Sequence, residues 1–148
     1  TILAKREHFR AAFRQFDIDA VARFGARDVA RLLGDAGIVR HRGKIEAVIN
    51  NARRARELVA SEGSLAAYFW RHEPGPRQLG PPQPSAPPPF AVALARDLKK
   101  RSWAFVGPTT LYAFMQAAGL VNDHVDGCVV RVAADRARRR FRRPARPS

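Results

Sequence analysis

The chain has 148 residues, 46% of them hydrophobic, and carries a formal net charge of +14. This length and composition are typical of a single globular domain with polar appendages. The single cysteine excludes an internal disulfide and favours a reducing compartment, and no apolar run reaches the ~20 residues that cross a bilayer. We therefore expect a soluble, intracellular protein.

Hydrophobic residues recur at helical spacing through the first half of the chain. The helices predicted there cover residues 2–16, 17–21, 26–34, 44–61 and 65–70. Asp17 is the predicted N-cap of the second helix, and Gly34 or Gly37 is predicted to end the third. The longest stripe, over residues 44–61, has arginines on its outer face and is typical of an amphipathic helix.

The segment 73–89 contains eight prolines, which disfavour helix interiors and sheets, so it is predicted to be a loop within one domain. Helices are predicted again over residues 90–101 and 108–118, with Gly119 as a C-cap. No strand is predicted before residue 128. The predicted fold is all-α, with a helical domain over 1–130 and a disordered, arginine-rich tail over 131–148.

Positive charge is spread over both of these parts. The tail holds eight arginines against one aspartate, and residues 1–130 are basic as well. A basic balance of this kind favours a polyanionic partner, with nucleic acid as the leading candidate. The alternative is a solvated basic surface that aids solubility.

A glycine-bearing turn, GIVRHRGK, separates two predicted helices at residues 37–44. The backbone N–H groups that open the second helix, together with its dipole, favour a bound phosphate. The alternative is a purely structural turn between two packed helices. The predicted DNA-backbone contacts are Gly37, Ile38, Arg40, His41, Arg42, Gly43 and Lys44.

Three segments resemble a known family: AKREHFRAAFRQFD (4–17), HRGKIEAVINNAR (41–53) and LKKRSWAFVGPTTLYAFMQAAGLVNDHVDGC (98–128). They are similar to DNA-3-methyladenine glycosylase I, a bacterial family of the helix-hairpin-helix DNA glycosylase superfamily. The resemblance covers about residues 1–128, in order. It implies a helix-hairpin-helix glycosylase-like fold and a monomer that acts on alkylated double-stranded DNA in the bacterial cytoplasm, at the nucleoid.

The resemblance also implies a reaction in base-excision repair. A monofunctional enzyme flips the damaged nucleotide out of the duplex and hydrolyses the N-glycosidic bond of 3-methyladenine. Lys44, Lys99 and Lys100 are therefore not assigned as Schiff-base nucleophiles. Two alternatives stay open: a catalytically inactive DNA-binding remnant of the family, and a basic helical module with no role on DNA.

The helix after Pro108 is expected to line the base pocket. Its candidate lining residues are Thr109, Thr110, Tyr112, Ala113 and Gln116, although a tyrosine on such a helix can equally be a core residue. Some family members carry a serine where this chain has Ala113. The family's essential carboxylate lies in a segment that would precede Thr1, so we expect an N-terminal segment to be absent and assign no catalytic residue.

The spacing of His124 and Cys128 is typical of half a metal site. The resemblance implies a structural zinc held by two N-terminal and two C-terminal ligands, and His124 and Cys128 match the C-terminal pair. The N-terminal pair would precede Thr1, which leaves two of four ligands here. Alternatively, Cys128 is a small buried residue. The other histidines, His8, His41 and His72, have no ligand spacing, and Asn122 and Asp123 are interpreted as orienting His124 or capping a turn.

Overall fold

The computed structural model describes residues 2–144, and within that range it contains helices and no strand, which confirms the all-α prediction. The α-helices are α1 (Arg6–Ala12), α2 (Ile18–Ala22), α3 (Ala26–Gly34), α4 (Arg42–Glu62), α5 (Leu65–Trp70), α6 (Pro89–Lys100), α7 (Pro108–Ala117) and α8 (Arg131–Arg140). None of the helices described is long and apolar enough to span a membrane.

Helix α4 joins two hydrophobic clusters. Near its start, Ile45 and Ile49 pack into a first cluster with residues of α1, α2 and α3. Near its end, Leu58 belongs to a second cluster with α5, α6 and α7. Arg53, midway along α4, donates hydrogen bonds to the backbone oxygens of Ala22 (3.0 Å) and Phe24 (3.1 Å). The 21-residue helix therefore packs in both hydrophobic clusters and connects the two halves of the molecule.

The predicted helix over residues 2–16 is wrong as a single element. A 3-10 turn at Leu3–Lys5 precedes α1, and a second follows at Arg14–Phe16, where all three residues have φ between 52° and 57°. This left-handed backbone ends the helix and leads into α2, whose first turn Asp17 caps by accepting the Ala20 N–H at 2.7 Å. The apolar spacing in the sequence continues through this break and does not reveal it. In the folded chain the rings of Phe13 and Phe16 stack across the break.

The proline-rich segment is a loop, as predicted, apart from one 3-10 turn at Pro76–Gln78. Its middle is fixed to the body by a hydrogen bond from the Gln83 N–H to the Asp123 carboxylate (2.8 Å). Its first residue, Glu73, accepts hydrogen bonds from two arginines of the C-terminal segment, Arg138 and Arg143, each at 2.8 Å. Both connections hold the loop against the helical domain.

The C-terminal segment differs from the prediction of a disordered tail over 131–148. Residues Arg131–Arg140 form α8, residues 141–144 follow it, and residues 145–148 lie outside the described part of the chain. Arg138 donates to the backbone oxygens of Gly119 and Leu120, both at 2.8 Å, which satisfies carbonyls after the end of α7. The arginine-rich composition indicated solvated charge, but acceptors from distant parts of the chain order this segment.

Two further contacts hold the end of this segment. The Phe141 ring packs on Trp70 at 4.6 Å, and the Arg143 guanidinium lies 5.6 Å from the centre of the Trp70 ring. Hydrogen bonding from Arg143, aided by Arg138 and opposed by burial, lowers the pKa of Glu73. Glu73 therefore stays ionised at neutral pH, as this arrangement requires.

Candidate nucleic-acid interface and base pocket

The hairpin lies between α3, which ends at Gly34, and α4, which begins at Arg42. Within the turn, the Gly37 N–H donates to the Asp35 carboxylate at 2.8 Å. A β-carbon on Gly37 would lie 2.8 Å from the His8 ring and 2.9 Å from the Asp35 carboxylate, so glycine permits this close approach. The helix-turn-helix predicted from the sequence is confirmed.

Ile38, one of the predicted DNA-backbone contacts, directs its side chain into the core. The side chain is 2% exposed and packs in the first cluster with Ile45 and Leu32. Its burial holds the turn on the core, and that position is the physical reason for an apolar residue at the centre of a polar hairpin. The neighbouring Val39 is exposed.

The start of α4 carries a side-chain cap and exposed cations. His41 is its N-cap, and its Nδ1 accepts the Lys44 N–H at 3.1 Å. The N–H groups of Arg42 and Gly43 are the first two of the helix, where the i→i−4 pattern offers no acceptor. The side chains of Arg40, Arg42 and Lys44 are exposed beside them. The helix dipole, the amides and the cations therefore lie on one surface, where His41 caps the helix.

A second segment lies against this surface and was not found by sequence reasoning. The Phe105 ring is 59% exposed and meets the His41 ring edge-on, with centroids 6.3 Å apart. Its Cζ atom would be 3.7 Å from a β-carbon on Gly43. The segment that carries Phe105 connects α6 to α7, and Val106 anchors it in the second cluster. No local pattern in the sequence indicates that this ring reaches the hairpin.

Helix α7 faces a cavity of about 880 Å³. Three of the five predicted pocket residues, Tyr112, Ala113 and Gln116, line it. Thr109 and Thr110 do not belong to that lining, and both are exposed on the first turn of α7. A helix presents only part of its circumference to one cavity, so five nearly consecutive residues could not all face it.

The opposite walls come from the segment 121–124, from the loop at Gln83 and from α8. Ala134, Ala137 and Arg138 of α8 lie along the cavity, so the segment predicted to be a detached tail forms part of its lining. Helix α8 and the candidate pocket are therefore one structural unit.

Asp123 organises the polar side of the cavity, and it is the only carboxylate among the described residues that line it. Its carboxylate accepts hydrogen bonds from the Gln116 side chain (2.6 Å) and the Gln83 N–H (2.8 Å). Burial, with a contribution from hydrogen bonding to Asp123, raises the pKa of Tyr112 to about 12. The phenol therefore remains protonated at neutral pH and acts as a donor. The sequence predicts that Asn122 and Asp123 orient His124 or cap a turn. The Asn122 side-chain oxygen accepts the His124 N–H at 3.3 Å, and Asp123 accepts from Gln116 and Gln83.

The candidate metal pair is preformed in part. The Cys128 Sγ and the His124 Nδ1 are 3.6 Å apart. Two ligands of a tetrahedral zinc ion, with Zn–S of about 2.3 Å and Zn–N of about 2.05 Å, lie roughly 3.6 Å apart. The separation fits zinc, but among residues 2–144 no group of three or more His, Cys, Asp or Glu residues could hold a metal. The distance between His124 and Cys128 therefore fits zinc, but two ligands are fewer than the four of a structural zinc site.

The most buried carboxylate in the described chain is Glu62, which is 8% exposed and away from the cavity. Arg71 lies 3.1 Å and Arg101 3.5 Å from its oxygens. The contact to Arg71 has the distance of an ion pair without the geometry of a hydrogen bond. Arg101 also binds Asp97, which accepts the Tyr68 hydroxyl at 2.5 Å. This cluster stabilises the second core and is not a candidate catalytic site.

An all-helical domain with a cationic hairpin and a separate cavity beside α7 defines a helix-hairpin-helix DNA glycosylase-like protein. The sequence model of the methyladenine glycosylase family matches residues 1–132. The chain therefore belongs to the methyladenine glycosylase family, as the resemblance predicted.

Two curated relatives agree with this assignment. DNA-3-methyladenine glycosylase 1 of Escherichia coli is 46% identical over 136 residues, which cover 86% of this chain and 71% of the relative. DNA-3-methyladenine glycosylase of Haemophilus influenzae is 38% identical over 133 residues, with the same two coverages.

Solved structures of similar proteins share the fold. A crystal structure of 3-methyladenine DNA glycosylase I superposes with a TM-score of 0.78 at 45% identity, covering 86% of this chain and 72% of that one. A variant of 3-methyladenine DNA glycosylase I crystallised in complex with 3-methyladenine has a TM-score of 0.80 at 33% identity, covering 88% and 72%. The similarity extends over most of the described chain.

Proposed function

We propose that this chain is a monofunctional DNA glycosylase that hydrolyses the N-glycosidic bond of 3-methyladenine in alkylated double-stranded DNA. The observation that carries the proposal is its 46% identity to the Escherichia coli enzyme over 136 residues. The hairpin and the cavity are consistent with the two tasks of such an enzyme, which are to hold a DNA strand and to accept an extruded base.

The described residues have distinct parts in this reaction. The hairpin amides and cations bind phosphates, while the cavity beside α7 receives the flipped nucleotide. N3-methylated adenine is cationic, and the carboxylate of Asp123 complements that charge. Hydrolysis breaks the bond from the sugar C1′ to the base and forms one from C1′ to a water oxygen. The base leaves neutral with the bonding electron pair, and one proton of that water passes to solvent. Asp123 already accepts hydrogen bonds from Gln116 and Gln83, so we assign it to recognition and not to proton transfer.

The direct test is release of free 3-methyladenine from methylated duplex DNA, measured by chromatography with the Escherichia coli relative as positive control. We expect release to be linear in protein concentration. Duplex binding without any release would support the alternative of an inactive DNA-binding remnant. Absence of binding at low ionic strength would contradict a role on DNA.

We also propose that His124 and Cys128 are ligands of a structural zinc ion. The spacing supports this, and a site with two protein ligands binds the metal more weakly than one with four. Because Cys128 is the single cysteine, its alkylation by iodoacetamide reports on this site alone. We expect zinc to slow alkylation several-fold in the parent chain and to have no effect in His124→Ala. Equal protection in both would exclude His124 as a ligand.

We further propose that the chain acts as a monomer in the bacterial cytoplasm, at the nucleoid. The relatives from Escherichia coli and Haemophilus influenzae support a bacterial DNA repair setting. Sedimentation equilibrium should give the mass of one chain, 16.5 kDa. A concentration-dependent increase toward twice that mass would contradict the monomer.

A further inference from the structure

Helix α8 closes one side of the candidate base pocket. Ala134, Ala137 and Arg138 of this helix lie along the cavity that α7 lines from another side. The match of the family's sequence model ends at residue 132, so these three residues follow the matched region. The cavity is therefore completed by a wall that membership of the family does not by itself account for.

Polar contacts, and not burial in a core, hold this wall in place. None of the residues of α8 is buried, although most helices owe their stability to the burial of an apolar face. The Asn122 side-chain amide donates to the Arg131 backbone oxygen (3.0 Å) and to the Asp135 carboxylate (2.7 Å), which holds the first half of the helix. Directly after the helix, Phe141 packs on Trp70.

Glu73 holds the second half of the helix. Its carboxylate accepts hydrogen bonds from Arg138 (2.8 Å) and from two nitrogens of Arg143 (2.8 and 2.9 Å). The Glu73 side chain is only 20% exposed, and charge-assisted hydrogen bonds of this kind are stronger than those between neutral groups. Because Arg138 also donates to the backbone oxygens of Gly119 and Leu120, its guanidinium links Glu73, α8 and the segment after α7.

The side chains that this wall presents to the cavity are small. Ala134 and Ala137 end at the β-carbon, so a larger side chain at either position would occupy space that the cavity now offers. One methylene more or less on a ligand changes its discrimination by an apolar pocket by about 10- to 200-fold. The position of α8 and the size of its two alanines therefore decide how large a base the cavity accepts.

We infer that α8 determines the size of the base that the pocket accepts. Ala134 and Ala137 are specificity-determining residues, and Glu73 is a positioning residue that acts through Arg138 and Arg143. This inference rests on the proposed function, since it takes the cavity beside α7 to be the site of the extruded base. It adds to that function a role in the choice of lesion for the segment after residue 132.

The test measures the affinity of the full chain for two free bases, 3-methyladenine and 3-ethyladenine, by NMR titration. The two bases differ by one methylene, so we expect the parent chain to prefer 3-methyladenine by about tenfold or more. Ala134→Leu and Ala137→Leu narrow the cavity. Each should weaken the binding of 3-ethyladenine more than that of 3-methyladenine, and so increase the preference by about tenfold.

Glu73→Gln should have the opposite effect on the preference. The substitution removes the charge that holds both arginines and keeps the size of the side chain. Helix α8 is then held less firmly, and the preference for the smaller base should fall toward one. A merely structural role of Glu73 would lower the unfolding temperature and leave the ratio of the two affinities unchanged.

Ala60→Leu and Glu57→Gln are the matched controls. They make the same two kinds of substitution at exposed positions of α4, and neither residue lines the cavity. We expect both variants to retain the affinities of the parent chain for the two bases. A change as large as that of the α8 variants would show that the ratio responds to substitutions in general.

The outcomes separate this inference from the proposed function. A parent-like preference in both alanine variants overturns the inference, and a parent-like preference in Glu73→Gln alone overturns the role of Glu73. If the parent chain binds neither base but releases 3-methyladenine from DNA, the inference fails and the glycosylase proposal remains intact. If it neither binds nor releases the base, both fail. Should Glu73→Gln unfold at a lower temperature, the two leucine variants decide, because leucine is a good helix former.

Discussion

Replacing Arg40, Arg42 and Lys44 together with alanine should weaken duplex binding by at least about 10³-fold at low salt, because charge-assisted hydrogen bonds are worth about 1.5 kcal/mol or more each, or about 4.5 kcal/mol for three. Each lost phosphate contact should also lower the salt slope by about 0.9, or about 2.7 for all three. The three side chains are exposed, and the ion pair of Arg42 with Glu46 is on the surface, so we expect little change in the free energy of unfolding.

The control for this variant removes the same number of charges elsewhere. Arg96, Lys99 and Lys100 are exposed on a different helix, α6, which packs in the second cluster. Their triple replacement by alanine lowers the net charge equally, so a nonspecific effect of charge would weaken binding as much. We expect a much smaller loss for the α6 variant. Equal losses would show that DNA is attracted by the overall charge of the protein and that the hairpin has no special part.

Met115→Ala should destabilise the fold more than any substitution proposed above. Met115 is 0% exposed at the centre of the second cluster, and truncation of a buried methionine costs about 2–5 kcal/mol. A domain of this size has a total stability of about 5–15 kcal/mol, so the loss is a large part of it. Its backbone oxygen also accepts the N–H groups of Leu120 and Val121, which begin the segment along the cavity. We expect urea unfolding to show the loss and base release to fall at elevated temperature.

Two variants of the same region calibrate this result. Met115→Leu conserves volume and should cost less than about 1.5 kcal/mol. Thr110→Ala lies on the same helix but is exposed, and its effect should remain within about 0.5 kcal/mol. A parent-like midpoint for Met115→Ala would contradict the central position of this residue in the core.

Much of the fold was predictable because its helices are encoded locally. The stripe along α4, the proline at the start of α7 and the glycine after its end all act within a few residues of where they stand. Gly119, with φ of 79°, directly follows Ala118, the C-cap of α7, and so lies one residue after the predicted cap position; glycine adopts this backbone without strain. The break after Phe13 escaped prediction because the apolar period continues through it.

The candidate site was predictable only in part. The cations of the hairpin could be predicted from their positions at the ends of predicted helices. The α7 side of the cavity could be predicted because the family resemblance indicated α7 as the helix that lines the base pocket. Asp123, by contrast, is a recognition candidate because Gln83 and Gln116 donate hydrogen bonds to it in the folded chain, which its sequence position does not indicate. Phe105 lies beside the hairpin because Asn51, which is far from it along the chain, hydrogen-bonds the backbone of the preceding residue, Ala104.

The sequence by itself determined the all-helical class, the hairpin, the proline-rich loop and the family, because these depend on periodicity, capping and contiguous motifs. Only the tertiary structure decided that Ile38 is a core anchor, that Phe105 lies on the hairpin and that Arg138 holds α8 along the cavity. The physical reason is that burial and hydrogen-bond acceptors are supplied by residues distant in sequence. The position and contacts of an exposed ring, or of a run of arginines, are therefore set by residues that are distant in sequence.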